Sequence, residues 1–349
     1  MEIGFVVYDP WTERPEYTTT HLALTALQRG HRAWFIGVGD FASDPDDQLR
    51  ARAVGVGRKR HRSAKAFLNE LQGDKAVQER IQMSDLDVLL LRNDPAGETE
   101  ERPWAQAGGI IFGRMALREG VLVLNHPDGL AKAITKTYFQ DFPFHIRPRT
   151  LITRDVDEIR EFAAAQNGRL VLKPLQGSEG QNVFVVRTEE ESVNLGQMVE
   201  AIGRDGYIVV QEYLPAAENG DIRMFLMNGE PLEQDGIYAA FRRVPAKGEA
   251  RSNIHVGGRA EPVEMTDELL EIAEVVRPKL IQDGMFLVGL DIVGSKLIEV
   301  NVFTPGGLNS AEVLQKAAFT QSVVESLKRK IEHKATNGGS VNDTTLATL

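Results

Sequence analysis

Asp291, Glu299 and Asn301 stand in an otherwise apolar run, Val288 to Asn301, interrupted at Gly294-Ser295-Lys296. Two carboxylates and an amide are hard oxygen donors of the kind that Mg²⁺ takes. The run reads as two strands joined by a tight turn. Glu299 and Asn301 are two apart and share a strand face. The place of Asp291 depends on the turn. An odd loop, such as Gly294-Ser295-Lys296, sets it opposite Glu299, whereas a two-residue loop turns it to the other face. The competing reading is a hairpin with its polar residues on the wet side, where Leu290, Ile292, Ile298 and Val300 form the one buried face.

Cationic side chains recur at positions that suit phosphate or carboxylate chemistry. Lys173 ends the run Arg169 to Lys173 on the same face as Val171. A lysine on an apolar strand is costly to bury unpaired, so it implies either an anionic ligand or a side chain that snorkels to the edge. The loop Gln176 to Asn182 comes next, and such glycine-rich connections can lay backbone N–H groups over phosphates or be plain hairpin turns. Lys136, in Thr135-Lys136-Thr137, reads as ordinary helix surface. Asp221 and Arg223 alternate onto one face before Met224-Phe225-Leu226-Met227, as a surface ion pair would. Arg242, Arg243, Arg251 and Arg259 lie in a Gly- and Pro-punctuated stretch. Beside a candidate Mg²⁺ hairpin they suggest handling of phosphate or carboxylate, with solvated loop charge as the alternative for each.

Other motifs fail on context. Gly37-Val38-Gly39-Asp40-Phe41-Ala42 matches a dinucleotide fingerprint, but acidic, proline-broken sequence stands where a helix is required. No G-x-x-x-x-G-K-[ST] loop, HExxH or nucleophile elbow is present. A net charge of −10 argues against a nucleic-acid binder, with Arg58 to Arg62 as a short basic exception. The absence of cysteine removes disulfides, zinc-thiolate sites and a thiol nucleophile. The N-terminus lacks a basic leader and reads directly as a strand, and no apolar run reaches the length of a membrane span. A cytoplasmic protein without membrane or nucleic-acid partners is the expectation.

These residues need elements to hold them. The chain has 349 residues, 42% hydrophobic and 26% charged, enough for two or three domains. Strand and helix patterns alternate over the first part, with strands at Ile3–Tyr8, Ala33–Val38, 87–92 and Val121–Leu124. Helices are expected before Gly30 and near 104–118, and the region 41–83 is polar and unassigned. This order implies an α/β domain with a parallel sheet over residues 1–124. The second block, 125–205, reads as antiparallel, with a helix opened by Asp155 and Glu158 at capping-box spacing. The third, 206–332, holds the strand Tyr207–Val210 and a helix from Thr266 that Pro278 should kink. A helix over about 311–330 ends it. The tail 333–349 is rich in Thr, Asn, Gly and Ser and is expected to be disordered.

Taken in order, these segments resemble the ATP-grasp ligases, and most closely the bacterial glutathione synthetases. The resemblance runs over residues 1 to 330 through Val6-Val7-Tyr8-Asp9-Pro10, Leu91-Arg92-Asn93-Asp94-Pro95, Asn125-His126-Pro127 with Lys136, and Leu172-Lys173-Pro174-Leu175-Gln176-Gly177. It continues through Gln211-Glu212-Tyr213-Leu214-Pro215, Gly220-Asp221-Ile222-Arg223, Gly257-Gly258-Arg259 and the 288–301 hairpin. The resemblance implies an α+β ATP-grasp fold in which two subdomains after the N-terminal sheet clasp the nucleotide. It implies ATP phosphates on Lys136 and Lys173 under a loop at Gly177 and Gly180. Adenine would be read by backbone at Gln211, Glu212, Tyr213 and Leu214, with Asp221 on the nucleotide side. Two Mg²⁺ ions, replaceable by Mn²⁺, would sit on Asp291, Glu299 and Asn301. Arg223 and Arg251 would act on the transferring phosphoryl group and tetrahedral intermediate, and Asp9, Arg92, Asn253, Arg259 and Thr304 on substrates. The implied reaction joins γ-glutamylcysteine and glycine in a homo-oligomeric enzyme. After Asn301, however, the Cys-Ile-Arg-Glu stretch of the bacterial enzymes is missing, and Arg251-Ser252-Asn253 with His255 also resembles ligases that add glutamate to protein C-termini. A related peptide ligase and a non-catalytic ATP-binding module are therefore the competing readings.

Overall fold

The computed structural model describes residues 1–57, 60–98, 102–177, 182–187, 193–204, 206–245, 258–337 and 340–349. The first sheet contains β1 (Glu2–Val7), β2 (Arg32–Gly37), β3 (Phe41–Ser43), β4 (Leu49–Val56), β5 (Ala76–Gln82), β6 (Val88–Leu91) and β7 (Leu122–Leu124). Its order is β3-β4-β2-β1-β6-β7, with β5 on β4. The pairs β1/β2, β1/β6 and β6/β7 are parallel, as the alternating pattern implies. Helices α1 (Thr18–Gln28) and α3 (Gly108–Arg118) belong to this part, and Ile3, Phe5, Val6 and Val7 are all buried, as a strand covered on both faces requires. The unassigned region 41–83 folds as an antiparallel extension, β3 to β5, with α2 (Ala64–Leu71). Its polarity comes from position, since Gln78, Glu79 and Arg80 of β5 lie largely in solvent.

After α4 (Pro127–Lys132), the second sheet is antiparallel. It holds β8 (Thr150–Thr153), β9 (Leu170–Pro174), β10 (Phe184–Val186) and β11 (Ile208–Glu212) in the order β10-β9-β11-β8. Helices α5 (Val156–Ala165) and α6 (Leu195–Gly203) cover one face. Asp155 does cap α5, but the Glu158 carboxylate accepts from Thr153 Oγ1 and not from the Asp155 amide, so half of the capping box forms. The core of this unit, including Ile159, Leu170, Leu172, Val199, Ile208 and Val210, is a cluster of its own. Period-two alternation then turns Val171, Lys173, Val209 and Gln211 to the other face.

The third sheet is also antiparallel. Its strands are β12 (Asp221–Met227), β13 (Glu230–Pro231), β16 (Ala240–Val244), β17 (Arg259–Pro262), β18 (Leu287–Val293) and β19 (Lys296–Asn301), with a small separate hairpin of β14 (Glu233–Gln234) and β15 (Ile237–Tyr238). Helix α7 (Asp267–Gln282) is opened by Thr266 and runs as one helix through Pro278. The expected 311–330 helix is two, α8 (Leu308–Gln315) and α9 (Phe319–Asn337), because Lys316 takes a left-handed conformation at φ 57°. The tail departs from the expected disorder. Helix α9 extends to Asn337, and α10 (Asp343–Ala347) buries Leu346 and Ala347 in the core that also holds Leu124, Phe286 and Phe319. The overall polarity of this tail hid two apolar residues at its one helical turn.

First and third sheets share their cores, and Asn125 marks the seam. Its buried amide accepts from the Phe286 and Leu287 N–H groups and donates to the carbonyls of Leu287 and Val302. One side chain thereby completes the backbone hydrogen bonding of β18 and the end of β19.

Candidate active site

The 288–301 hairpin combines both parities considered for it. Its turn has two residues, Gly294 and Ser295, with Val293 opposite Lys296 and Ile292 opposite Leu297. A bulge then adds one residue, Ile298, so that Asp291 pairs with Glu299 and Gly289 with Asn301. The extra residue does what an odd loop would have done, and the three oxygen-bearing side chains share one face.

Asp291 is 2% exposed and tightly held. Arg223 grips it through two bonds, Nε to Oδ1 at 2.5 Å and Nη2 to Oδ2 at 2.9 Å. Arg243 Nη2 reaches Asp291 Oδ2 at 2.8 Å and also pairs with Asp221. Burial opposes charge on Asp291, but the two guanidinium groups hold its pKa below the carboxylate range. Burial and Asp291 raise the pKa of Glu299, with Lys136 and Lys173 acting in the opposite direction. Asn301 Nδ2 points at Gly289 O (3.4 Å) and Asp291 Oδ2 (3.3 Å), which leaves its amide oxygen facing elsewhere.

This donor set fits a divalent cation. Asp291 Oδ2 already accepts three contacts, but Oδ1 keeps a lone pair, and the Glu299 carboxyl and the Asn301 carbonyl are unclaimed by these partners. Two desolvated carboxylates side by side offer hard oxygen donors of the kind Mg²⁺ takes, with Arg223 and Arg243 already balancing Asp291. Among the described residues no cluster of three His, Asp or Glu forms a ready-made metal cage. An ion here would complete its shell from ligand oxygens and water, the usual habit of Mg²⁺.

Across from this row stand the lysines. Lys173, on the open face of the second sheet, has its pKa lowered by burial; Glu299 pulls upward and Lys136 downward. Lys136 is likewise lowered by burial and supported by Glu299. Its Nζ bonds Gly177 O at 2.6 Å, tying the start of the glycine-bearing loop to the site. Gln211 lies buried on β11, its amide nitrogen 3.2 Å from Thr150 Oγ1. Glu212 accepts from the Arg149 amide, Tyr213 OH meets Glu218, and Leu214 O accepts from Ala217 N. Gly180, Arg251 and Asn253 lie outside the described residues.

The remaining candidates are scattered. Arg92 is buried at the end of β6, with Nη2 3.3 Å from Pro305 O. Arg223 Nη1 donates to the next carbonyl, Gly306 O, at 3.0 Å, so both arginines hold the loop that carries Thr304. Asp9 caps a short turn by accepting from Trp11 N. Arg259 is exposed and paired with Glu261 on β17. Sequence reasoning left Arg243 as one loop arginine among several. The β12/β16 register, which sets Asp221 opposite Arg243, is the long-range fact that single-strand alternation could not supply.

Known proteins are similar to this chain in sequence and in fold. The family model for the N-terminal domain of prokaryotic glutathione synthetase matches residues 1–131, and that for its ATP-grasp domain matches residues 135–316. The glutathione synthetase of Vibrio cholerae is 34% identical over 260 residues, 74% of this chain and 77% of the relative. That of Escherichia coli K12 is 29% identical over 316 residues, 90% and 93% of the two chains. Among solved structures, the D-cycloserine synthetase DcsG superposes with a TM-score of 0.61 at 15% identity, covering 93% of this chain and 99% of that one. The ATP-grasp ligase PsnB, bound to a precursor peptide and AMPPNP, does so at 0.57 and 18%, covering 95% and 98%. At these identities the last two show the fold.

Proposed function

Because the chain belongs to the prokaryotic glutathione synthetase family, we propose that its site joins γ-glutamylcysteine to glycine with cleavage of ATP to ADP and phosphate. The observation that carries this reading is that the buried Lys136 and Lys173 both face the charge of Glu299, which lies opposite Asp291 across the hairpin. The cysteinyl carboxylate attacks the γ-phosphorus, ADP leaves, and an acyl phosphate results. The glycine amine then attacks the acyl carbon and phosphate departs. Phosphoryl transfer asks the protein mainly for positioning and charge neutralisation.

The residues divide accordingly. Lys136 and Lys173 bind the phosphates, and the loop at Gly177 and Gly180 covers them. Backbone at Gln211, Glu212, Tyr213 and Leu214 reads adenine. Asp291, Glu299 and Asn301 hold two Mg²⁺ ions, with Mn²⁺ as a substitute. When bound, the metal neutralises charge on the phosphate oxygens. Arg223 acts by fixing Asp291 and the Gly306 carbonyl, and Asp221 acts by fixing Arg243. Arg251, Asn253, Arg259, Asp9, Arg92 and Thr304 serve the transferring group and the substrates. Residues 1–124, 125–205 and 206–332 are the substrate, lid and metal-binding units of a cytoplasmic homo-oligomer.

The test is ADP release by the purified protein with Mg-ATP, γ-glutamylcysteine and glycine, omitting each in turn, with mass spectrometry of the product. Glutathione formed only in the complete mixture is expected. ATP bound without turnover would leave a non-catalytic module, and turnover with another pair would move the substrate assignment to a related peptide ligase.

A further inference from the structure

The first sheet reverses its strand order at β1, whose neighbours are β2 on one side and β6 on the other. Crevices outside the carboxyl ends of strands at such a point are where open α/β sheets bind ligands. Arg92 comes directly after β6 there, and Glu13 lies in the segment after β1. Arg92 is 7% exposed, its Nε 3.2 Å from Thr19 Oγ1. Among the described residues no carboxylate comes within ion-pair distance of it. Burial pushes its pKa down to about 10, and the Glu13 charge opposes that shift.

Glu13 is half-buried and similarly isolated. Its carboxylate is 3.2 Å from Thr20 Oγ1. Gln72 anchors this segment by donating to the Pro10 and Glu13 carbonyls at 3.1 and 2.9 Å. Burial pushes the Glu13 carboxyl up to about 7, against the Thr20 hydrogen bond and the Arg92 charge. Two opposite charges thus feel each other, lose hydration, and yet do not pair. Leaving both desolvated without contact is costly unless something occupies the space between them. A group carrying an ammonium beside a carboxylate, in the reverse order, satisfies both.

We propose that Glu13, Thr19, Thr20 and Arg92 form a subsite for the zwitterionic α-amino-acid head of the acyl donor, with Arg92 on its carboxylate and Glu13 on its ammonium. This deepens the reading above and rests on it. Glycine is also a zwitterion, but its amine must be free to attack, so a site that captures an ammonium suits the donor. The subsite is wired to the metal row, since Arg92 and Arg223 hold successive carbonyls of one loop, Pro305 and Gly306, and Arg223 holds Asp291. A γ-glutamyl head at Arg92 leaves the cysteinyl carboxylate to extend toward the phosphates.

The experiment compares γ-glutamylcysteine with glutarylcysteine, which lacks the amino group, on the wild-type enzyme and on Glu13→Gln, with Mg-ATP and glycine. Glutarylcysteine is followed by KM, or by its inhibition constant if it is not turned over. In the wild type its constant should exceed that of γ-glutamylcysteine by roughly tenfold or more, the scale of a hydrogen bond to a charged group. Glu13→Gln should raise KM for γ-glutamylcysteine by a similar factor and leave KM for glutarylcysteine, ATP and glycine unchanged. The ammonium needs Glu13 ionised, so wild-type KM for γ-glutamylcysteine should fall as pH rises through about 7, and the variant should lose that dependence. Arg92 stays charged throughout this range. Equal wild-type constants for the two donors overturn the subsite even if the variant does not fold. An equal effect of Glu13→Gln on both donors, or an unchanged pH profile, overturns it as well. No wild-type turnover with γ-glutamylcysteine overturns the underlying function instead.

Discussion

At the scale of residues, the site is a balance between desolvated charges of opposite sign, and single substitutions should separate their tasks. Glu299→Gln removes the charge assigned above to the metal and faced by Lys136 and Lys173. It should keep the fold, raise the Mg²⁺ concentration needed for half-maximal rate, and lower kcat by roughly 10²-fold or more, at or above the upper end of what loss of an outer-shell metal partner costs. Unchanged Mg²⁺ dependence of ADP release would take the hairpin out of the mechanism. Arg243→Met is a different kind of change. It removes the Arg243 ion pairs to Asp221 and to Asp291. Breaking a buried pair costs about 3–5 kcal/mol, and urea denaturation should show a loss on that scale together with lost turnover. The types of these side chains could be read from the sequence because charge on an apolar strand stands out. Their partners could not, since Arg243 meets Asp291 only through two strand registers set by distant sequence.

Elements whose apolar period is strong were legible, and those defined by a single backbone choice were not. The strands β1, β6, β18 and β19 arise from predominantly apolar runs, in which the few polar residues stand out. The bulge at Ile298 and the left-handed Lys316 carry no compositional mark, yet each redirects the chain beyond it. Helix α10 is the sharpest miss. Five residues cannot sustain a helix in isolation. It stands because Leu346 is 2% exposed in a core built by other elements. Leu346→Ala should therefore destabilise the protein by about 2–5 kcal/mol, measured by urea denaturation, with KM for ATP unchanged. A loss below about 0.5 kcal/mol, the range of an ordinary surface substitution, would mean that the docking of this turn contributes nothing to the fold.

For the molecule as a whole, the order of short motifs along the chain, through their resemblance to the ATP-grasp ligases, placed it among ATP-dependent ligases, whereas composition and element order alone indicated two or three α/β units. The distribution of the core was not legible. First and third sheets bury their apolar faces in common clusters, with Asn125 hydrogen-bonded across the seam. The second sheet keeps a small core to itself. Cooperativity depends on contiguity of packing, so these are two units of unequal stability. Scanning calorimetry should accordingly resolve two endotherms, with the smaller at lower temperature. If Mg-ATP binds between the units as proposed, it should raise the lower transition most, because its binding energy is lost when the small unit melts. In backbone amide exchange, the same seam would appear as fast exchange in β8 to β11, slowed by nucleotide, against slow exchange in β1, β6 and β18. The enzyme would then gain part of its order from the substrate it consumes, and its resistance to heat and protease would track the nucleotide supply.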